Sequence, residues 1–299
     1  MYSQIDANRR NSFLLITLFV GLLAFAGWVY GYVVTDYGPG GLAIALAVSL
    51  GMTFISWYAG DSIALWTAGA AEVTERTQFP TLWNVVENLS ITAGVPRPKI
   101  FIIEDQSPNA FATGRDPQHA SVAVTTGLLL MLERNELEGV LAHELSHIKN
   151  LDIRFMMLIA VLVGALTLLG DQFLRFSFFG RRGRDRDGIG GILAIVGIVF
   201  LILSPLIGQM IKLAISRRRE YLADASGALL TRYPEGLANA LEKIAAAGIP
   251  MQRTSSATNH LWISEPAGPG LGARISGLFS THPPIQDRIA KLRQMTDNT

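Results

Sequence analysis

Leu141-Ala-His-Glu-Leu-Ser-His-Ile-Lys-Asn150 contains the pattern His-Glu-x-x-His. Apolar residues recur at helical spacing through residues 134–145, which predicts a helix. Residues four apart share one face of a helix, so His143 and His147 can direct their imidazole nitrogens toward one divalent metal ion. Glu144 lies one position further round, where its carboxylate can take a proton from water instead of binding the metal. The alternative is a chance pair of histidines, one of them a core residue, so a third ligand is needed.

The composition is too apolar for an ordinary soluble enzyme. Hydrophobic residues make up 49% of the 299 residues, charged residues only 16%, and mean hydropathy is +0.33. This favours membrane spans. The net charge of +1 offers no electrostatic case for binding nucleic acid. Since the chain has no cysteine, any zinc must be held by His, Glu or Asp, as is typical of catalytic sites.

Apolar segments predict about four transmembrane helices. Residues 11–35 and the run that ends at Gly60 carry no charge and are joined by a glycine-rich turn, so they predict a helical hairpin. Residues 155–179 and 188–211 predict a second hairpin, although 155–170 alone is short for a span. The predicted layout begins with a transmembrane hairpin at residues 1–60, followed by the first part of a soluble domain at 61–154. A second hairpin at 155–211 then precedes the second part of that domain at 212–299.

The soluble domain is predicted to be mainly helical, of the α+β class. Residues 72–93 predict an amphipathic helix interrupted at Pro80. Lys99–Ile103 and the segments 109–114 and 121–125 predict strands. A strand beside a metal-binding helix can pair with an extended peptide, so the candidate substrate edge is the segment Asn109, Ala110 and Phe111. An ordinary sheet strand is the alternative.

A third metal ligand is predicted after the last apolar segment. Glu220 and Asp224 lie four residues apart in a stretch of high helical propensity. Glu220 is the candidate ligand, and Asp224 the candidate acceptor that orients one of the histidines. The alternative is a solvated acidic pair that neutralises the arginines at 217–219.

Positive residues beside the apolar segments predict the orientation in the membrane. They flank the spans on the side of the soluble domain, and the positive-inside rule therefore places that domain and both termini in the cytoplasm. Both parts of the domain contribute a ligand, so the segment between them crosses the membrane an even number of times, either twice or, with re-entrant segments, not at all. The loop 175–187, with five arginines and two aspartates, opposes two full crossings.

Taken together, four segments resemble the HtpX membrane zinc metalloproteases, relatives of the CAAX prenyl endopeptidases. They are His143–His147, Glu220–Asp224, the sequence Ser107-Pro-Asn-Ala-Phe-Ala-Thr-Gly114 and Phe279-Ser-Thr-His-Pro-Pro284. The similarity covers nearly the whole chain, except for the loop 175–187. It implies a zincin-like domain with one Zn²⁺ per chain, in a stress-associated endopeptidase of the bacterial inner membrane. The implied substrates are misfolded or damaged membrane proteins, cleaved on the cytoplasmic side of the lipid bilayer.

The predicted reaction is hydrolysis of a peptide bond. Glu144 takes a proton from water and later gives it to the leaving amine. His282 is the candidate donor to the oxyanion, and a capping or core histidine is its alternative. His119 and His260 are predicted to be ordinary loop residues, and residues 251–281 a lid or a disordered segment.

Two other functions are possible. A membrane scaffold that binds zinc without turnover has no need for Glu144. An enzyme that processes lipidated C-termini would need a larger intramembrane chamber than four spans provide.

Overall fold

The computed structural model describes residues 2–35, 38–159, 162, 217–253, 258, 261–264 and 283–296. Most of the predicted second hairpin lies outside the described residues, as do the loop 175–187, His260 and His282. Residues 152–159, which lead into that hairpin, are helical. The four-span layout and its domain boundaries therefore stay predictions.

Two long helices form the N-terminal hairpin: α1 (Tyr2–Thr35) and α2 (Gly38–Ala68). They pack against each other, and a Cβ added at Gly27 would overlap Ala45 of the partner helix. Large apolar side chains such as Phe13 and Phe54 are exposed on their outer surfaces, as expected where lipid replaces water. Within the described part of the chain, α2 is the one helix long and apolar enough to cross a membrane. It ends at Ala68, eight residues beyond the predicted boundary at 60.

The soluble domain is built on a four-stranded sheet in the order β1-β2-β4-β3. Strand β2 runs parallel to β4, and the other two pairings are antiparallel. The strands are β1 (Ala70–Glu72), β2 (Lys99–Ile103), β3 (Ala110–Gly114) and β4 (Ala120–Thr125). The three predicted strands are confirmed. Strand β1 was not predicted, because three residues are too few for a visible alternation of apolar and polar side chains.

The helices of the domain are α3 (Pro80–Ala93), α4 (Thr126–Met131), α5 (Arg134–Lys149), α6 (Arg217–Thr231), α7 (Pro234–Ala247) and α8 (Ile285–Thr296). The helix predicted from residue 72 begins only at Pro80. Proline suits the first turn of a helix, where its missing N–H leaves no hydrogen bond unmade. The prediction for residues 72–79 was therefore wrong, whereas the mainly helical α+β class is confirmed for the described residues.

Both faces of the sheet are buried. Val122 and Val124 face a core shared with α3, α5 and α7. Phe111 and Ala123 face the opposite way, toward the last turns of α2 and Trp262. The sheet thus lies between the helix that carries the His-Glu-x-x-His pattern and the end of the N-terminal hairpin.

Candidate metal centre

Helix α5 carries the two histidines through the centre of the domain. It begins with a capping box, in which Glu133 and Glu136 each accept a backbone N–H at the helix start. It contacts α3, α6, α7 and β3, so nearly every side chain from position 136 to position 148 is buried. The observed bounds agree with the predicted helix.

Three buried side chains converge on one point. The Nε2 atoms of His143 and His147 lie 3.1 Å apart. Glu220 Oε2 lies 3.9 Å from Nε2 of the first histidine, and Glu220 Oε1 lies 3.6 Å from Nε2 of the second. Ligand atoms at about 2.0–2.1 Å from one tetrahedral zinc ion lie about 3.3 Å apart, so these spacings bracket the value that a metal ion requires. Within the described residues, these three form the group of His and acidic side chains that fits a metal ion.

Helix α6 brings Glu220 to this point by packing closely on α5. The contact occurs at Gly227, where an added Cβ would lie 3.0 Å from the backbone nitrogen of His143. Such a distance would be tighter than nearly all real Cβ contacts, so the absence of a Cβ allows the two helices to approach this closely.

A carboxylate orients each imidazole ring. His143 Nδ1 lies 2.9 Å from Asp224 Oδ1, which is the contact expected from the sequence. His147 Nδ1 lies 3.0 Å from Asp152 Oδ2. Each ring can thus donate its Nδ1 proton to a carboxylate and leave Nε2 for the metal.

Asp152 was not among the predicted site residues, because it follows the end of α5 and the helical period no longer predicts its direction. Leu151 precedes it in the left-handed region, with φ of 61°. That backbone conformation costs a branched residue about 1–2 kcal/mol. It turns the chain at the end of the helix, so that Asp152 points back toward His147.

Arg288 of α8 was also missed. Its Nε and Nη2 atoms donate to the two carboxylate oxygens of Asp224 at 2.9 and 2.7 Å, and its Nη1 lies 3.9 Å from Glu220. The side chain is 1% exposed. A buried guanidinium thus counters the negative charge of two carboxylates in the site.

Burial and neighbouring charges shift the pKa of Glu144 and that of Asp224. Burial and the charge of Glu220 raise the pKa of Glu144 to about 8, against the opposing effect of His147. Burial also acts to raise the pKa of Asp224, but the charge of Arg288 and the hydrogen bond from His143 hold it at about 2.

The pKa values of the two histidines are shifted in opposite directions. Burial lowers the pKa of His143. Burial also acts to lower the pKa of His147, but its hydrogen bond with Asp152 and the charge of Glu220 raise that pKa to about 9.

Strand β3 lies at the edge of the sheet beside Glu144. The N–H of Ala112 donates to the Glu144 carboxylate, and the C=O of Ala110 accepts from the N–H of Ile263 at 2.9 Å. Phe111 instead pairs with β4 through its partner Ala123. The backbone groups directed toward the site are therefore those of the two alanines.

The other predicted site residues lie as follows. Asn109 is fully buried, and its side chain donates to the C=O of Ser264 at 3.1 Å. His119 lies in an exposed turn, where its Nδ1 is 2.7 Å from Asp116, as expected of an ordinary loop residue. His282 lies outside the described residues.

The sequence profile of peptidase family M48 matches residues 76–296, a range that includes both histidines, Glu144 and Glu220. The chain belongs to peptidase family M48. The predicted HtpX resemblance is confirmed by the relatives of this M48 peptidase. The "Protease HtpX homolog" of Dictyoglomus thermophilum is 47% identical over 297 residues, covering 98% of this chain and 94% of the relative. That of Tropheryma whipplei strain Twist is 44% identical, covering 99% and 98%.

A solved structure shares the fold of this M48 peptidase. The crystal structure of S. mikatae Ste24p matches with a TM-score of 0.51 at 19% identity, covering 98% of this chain. The M48 peptidase spans 66% of the length of that protein. Together with the HtpX relatives and the apolar helix α2, these findings identify the chain as a membrane metalloprotease.

Proposed function

We propose that this M48 peptidase is a zinc-dependent endopeptidase that cleaves misfolded or damaged membrane proteins during stress. The observation that carries the proposal is the convergence of His143, His147 and Glu220 beside the buried carboxylate of Glu144. A structural zinc site is closed by its ligands and needs no such acid, whereas a hydrolytic site needs a group that moves protons.

The donor set suits zinc. Two imidazoles and one carboxylate form a common catalytic zinc site, and every ligand here is buried and supported by a further hydrogen bond or charge. Zinc held by His143, His147 and Glu220 would polarise the scissile carbonyl and lower the pKa of water. The positive charge of the bound ion would lower the pKa of Glu144 and ionise its carboxylate, which would take the proton from the attacking water and return it to the leaving nitrogen. His282 stays a predicted donor to the oxyanion.

Strand β3 is the proposed binding edge for an extended substrate. In an antiparallel pair, alternate residues direct both backbone groups away from the partner strand. Asn109 and Phe111 direct theirs toward β4, because Asn109 O accepts from Thr125 N. We therefore assign substrate pairing to Ala110 and Ala112, on either side of the predicted Phe111, where a bound peptide would replace the contacts that Ile263 and Glu144 make with their backbone.

We further propose that the chain spans the inner membrane four times, with the protease domain in the cytoplasm. The hairpin of α1 and α2 supports the first two spans, because both helices expose large apolar residues. Arg9 and Arg10 are exposed at the start of α1, on the side predicted to be cytoplasmic.

Binding of zinc is expected to release at least one proton per metal ion near neutral pH. With its pKa raised to about 9, His147 is protonated at pH 7 and must lose that proton before Nε2 can bind a metal. Affinity should therefore rise about tenfold or more per pH unit up to that pKa. Calorimetric titration of the metal-stripped protein in two buffers of different ionisation enthalpy measures the proton count.

The matched control for this titration is His119→Ala, which removes an exposed histidine outside the site. It should leave the number of released protons unchanged. An affinity that does not change with pH over this range would contradict the assignment of His147 as a ligand.

The substrate class is tested in liposomes that contain the peptidase and one membrane protein, either in its stable form or as a destabilised variant. We expect cleavage of the destabilised variant, little cleavage of the stable form, and none of either after a chelator has removed the metal. Equal cleavage of both forms would overturn the substrate class while leaving the zinc chemistry intact. If neither form is cleaved in the presence of zinc, the assignment as an endopeptidase is itself contradicted.

A further inference from the structure

A buried asparagine in the N-terminal helix lies next to the metal centre. Asn8 of α1 is 0% exposed, whereas Arg9 and Arg10 beside it are exposed. It precedes the apolar part of the hairpin and lies more than a hundred residues before any predicted metal ligand. Nothing in the sequence around Asn8 requires this side chain to be buried, so the burial must be explained by its contacts.

The side chain of Asn8 makes three hydrogen bonds to the two ligand-bearing segments. Its Nδ2 donates to the C=O of Asn150 at 2.8 Å and to Asp152 Oδ1 at 2.7 Å. Its Oδ1 accepts from Arg219 Nη2 at 2.7 Å. The amide thus joins the end of α5, which carries both histidines, to the start of α6, where Arg219 directly precedes Glu220.

These contacts leave one carboxylate oxygen of Asp152 to hold His147, the proposed metal ligand. Oδ1 is occupied by Asn8 and by Arg219, whose Nε lies 3.0 Å away. Oδ2 is the atom 3.0 Å from His147 Nδ1. With one oxygen held, the carboxylate cannot rotate without breaking the hydrogen bond from Asn8 and the ion pair with Arg219, and the imidazole ring keeps its orientation.

We infer that Asn8 is a positioning residue of the metal centre, which it joins to the N-terminal hairpin. This inference rests on the proposed role of His147 as a metal ligand. The hairpin then contributes to catalysis as well as to membrane attachment, because a movement of α1 relative to α5 acts on Asp152 and through it on the ligand.

The test compares metal binding by the full chain and by Asn8→Ala, both purified in detergent and stripped of metal. Zinc affinity, measured by competition with a chelator, is expected to fall about 10- to 100-fold, the usual effect of losing an outer partner of a ligand. The absorption bands of bound Co²⁺ should change, because they report the ligand geometry. The matched control is Asn11→Ala on the same helix, which should bind both metals as wild type does.

If Asn8→Ala binds zinc with wild-type affinity and gives an unchanged cobalt spectrum, the inference is overturned. His147→Ala tests the underlying function separately: if that variant also keeps wild-type affinity, the proposed ligand set is wrong, whatever Asn8 does.

A second comparison covers the case in which Asn8→Ala does not fold. Asp152→Asn should weaken zinc binding, because the new amide places a donor against either Asn8 or His147. In the double variant with Asn8→Asp, the carboxylate at position 8 accepts from the new amide at position 152. The same carboxylate can still pair with Arg219. The double variant should therefore bind zinc more tightly than Asp152→Asn alone, and equal or weaker binding would overturn the inference.

Discussion

Glu144→Gln is expected to lower the rate of peptide hydrolysis by about 10²- to 10⁴-fold, the usual contribution of a positioned general base. Glutamine has the same shape and can still accept the N–H of Ala112, but it cannot take a proton from water. Zinc content should remain at the wild-type value, because Glu144 is not one of the three converging ligands. The measurement is cleavage of an unfolded protein by wild type and variant, with metal analysis of both.

Glu138→Gln is the matched control, since Glu138 lies on the same helix and pairs at its surface with Arg134. Its rate should stay at the wild-type value. Equal cleavage by wild type and Glu144→Gln would remove Glu144 from the mechanism. If both bind zinc and neither cleaves, the metal-binding scaffold becomes the better account of the chain.

Arg288→Met is expected to lower the free energy of unfolding by about 3–5 kcal/mol, the cost of breaking a buried ion pair by removing one partner. Methionine fills much of the volume but leaves Asp224 and Glu220 without their buried cation. Urea unfolding of the full chain in detergent, followed by tryptophan fluorescence, measures the loss. A change below about 1 kcal/mol, the size found for exposed pairs, would show that this ion pair adds little to stability.

The control for this substitution is Arg293→Met on the same helix. Arg293 is half-exposed, and its pair with Glu242 at 2.7 Å lies at the surface. Exposed pairs contribute about 0–1 kcal/mol, so its loss should hardly change the unfolding midpoint.

The effect of Arg288→Met should shrink in acid. Asp224 has a folded-state pKa of about 2, below its ordinary value of 3.8. A lowered pKa adds stability that is fully present above the ordinary value and is lost as the pH falls through the folded value. The difference in the free energy of unfolding between wild type and Arg288→Met should therefore become smaller as the pH falls from about 4 to about 2.

Local patterns predicted the parts of the site that lie on single helices. The spacing of His143 and His147 depends only on the helical repeat, and so does the relation of Glu220 to Asp224. The structure adds that Asp224 orients His143. The family resemblance, based on the same segments, is confirmed by the M48 profile.

The contacts that join separate elements could not be read from those patterns. Arg288 reaches Asp224 across 64 positions, and Asn8 reaches Asp152 across 144. No periodicity relates residues so far apart, and each belongs to a helix whose own pattern predicts only which side is apolar. In the sequence, the buried Arg288 of α8 looks the same as the half-exposed Arg293 five residues later.

Element boundaries were missed for a related reason. The charge-free run that predicts the hairpin ends at Gly60, yet helix α2 continues through Asp61 to Ala68. One acid can remain in a helix that has left the apolar layer, because its backbone hydrogen bonds are made within the helix. The return of polar residues therefore indicates a change of surroundings, which need not coincide with a helix end.

Arg288 lies on a later element than every group it neutralises, which has a consequence for biosynthesis. A ribosome delivers the two histidines first, Glu220 and Asp224 next, and the arginine only after about sixty further residues. Until then the two acids lack the arginine that they contact in the folded protein. The charge balance of this centre is therefore completed only when the segment that carries α8 has been made.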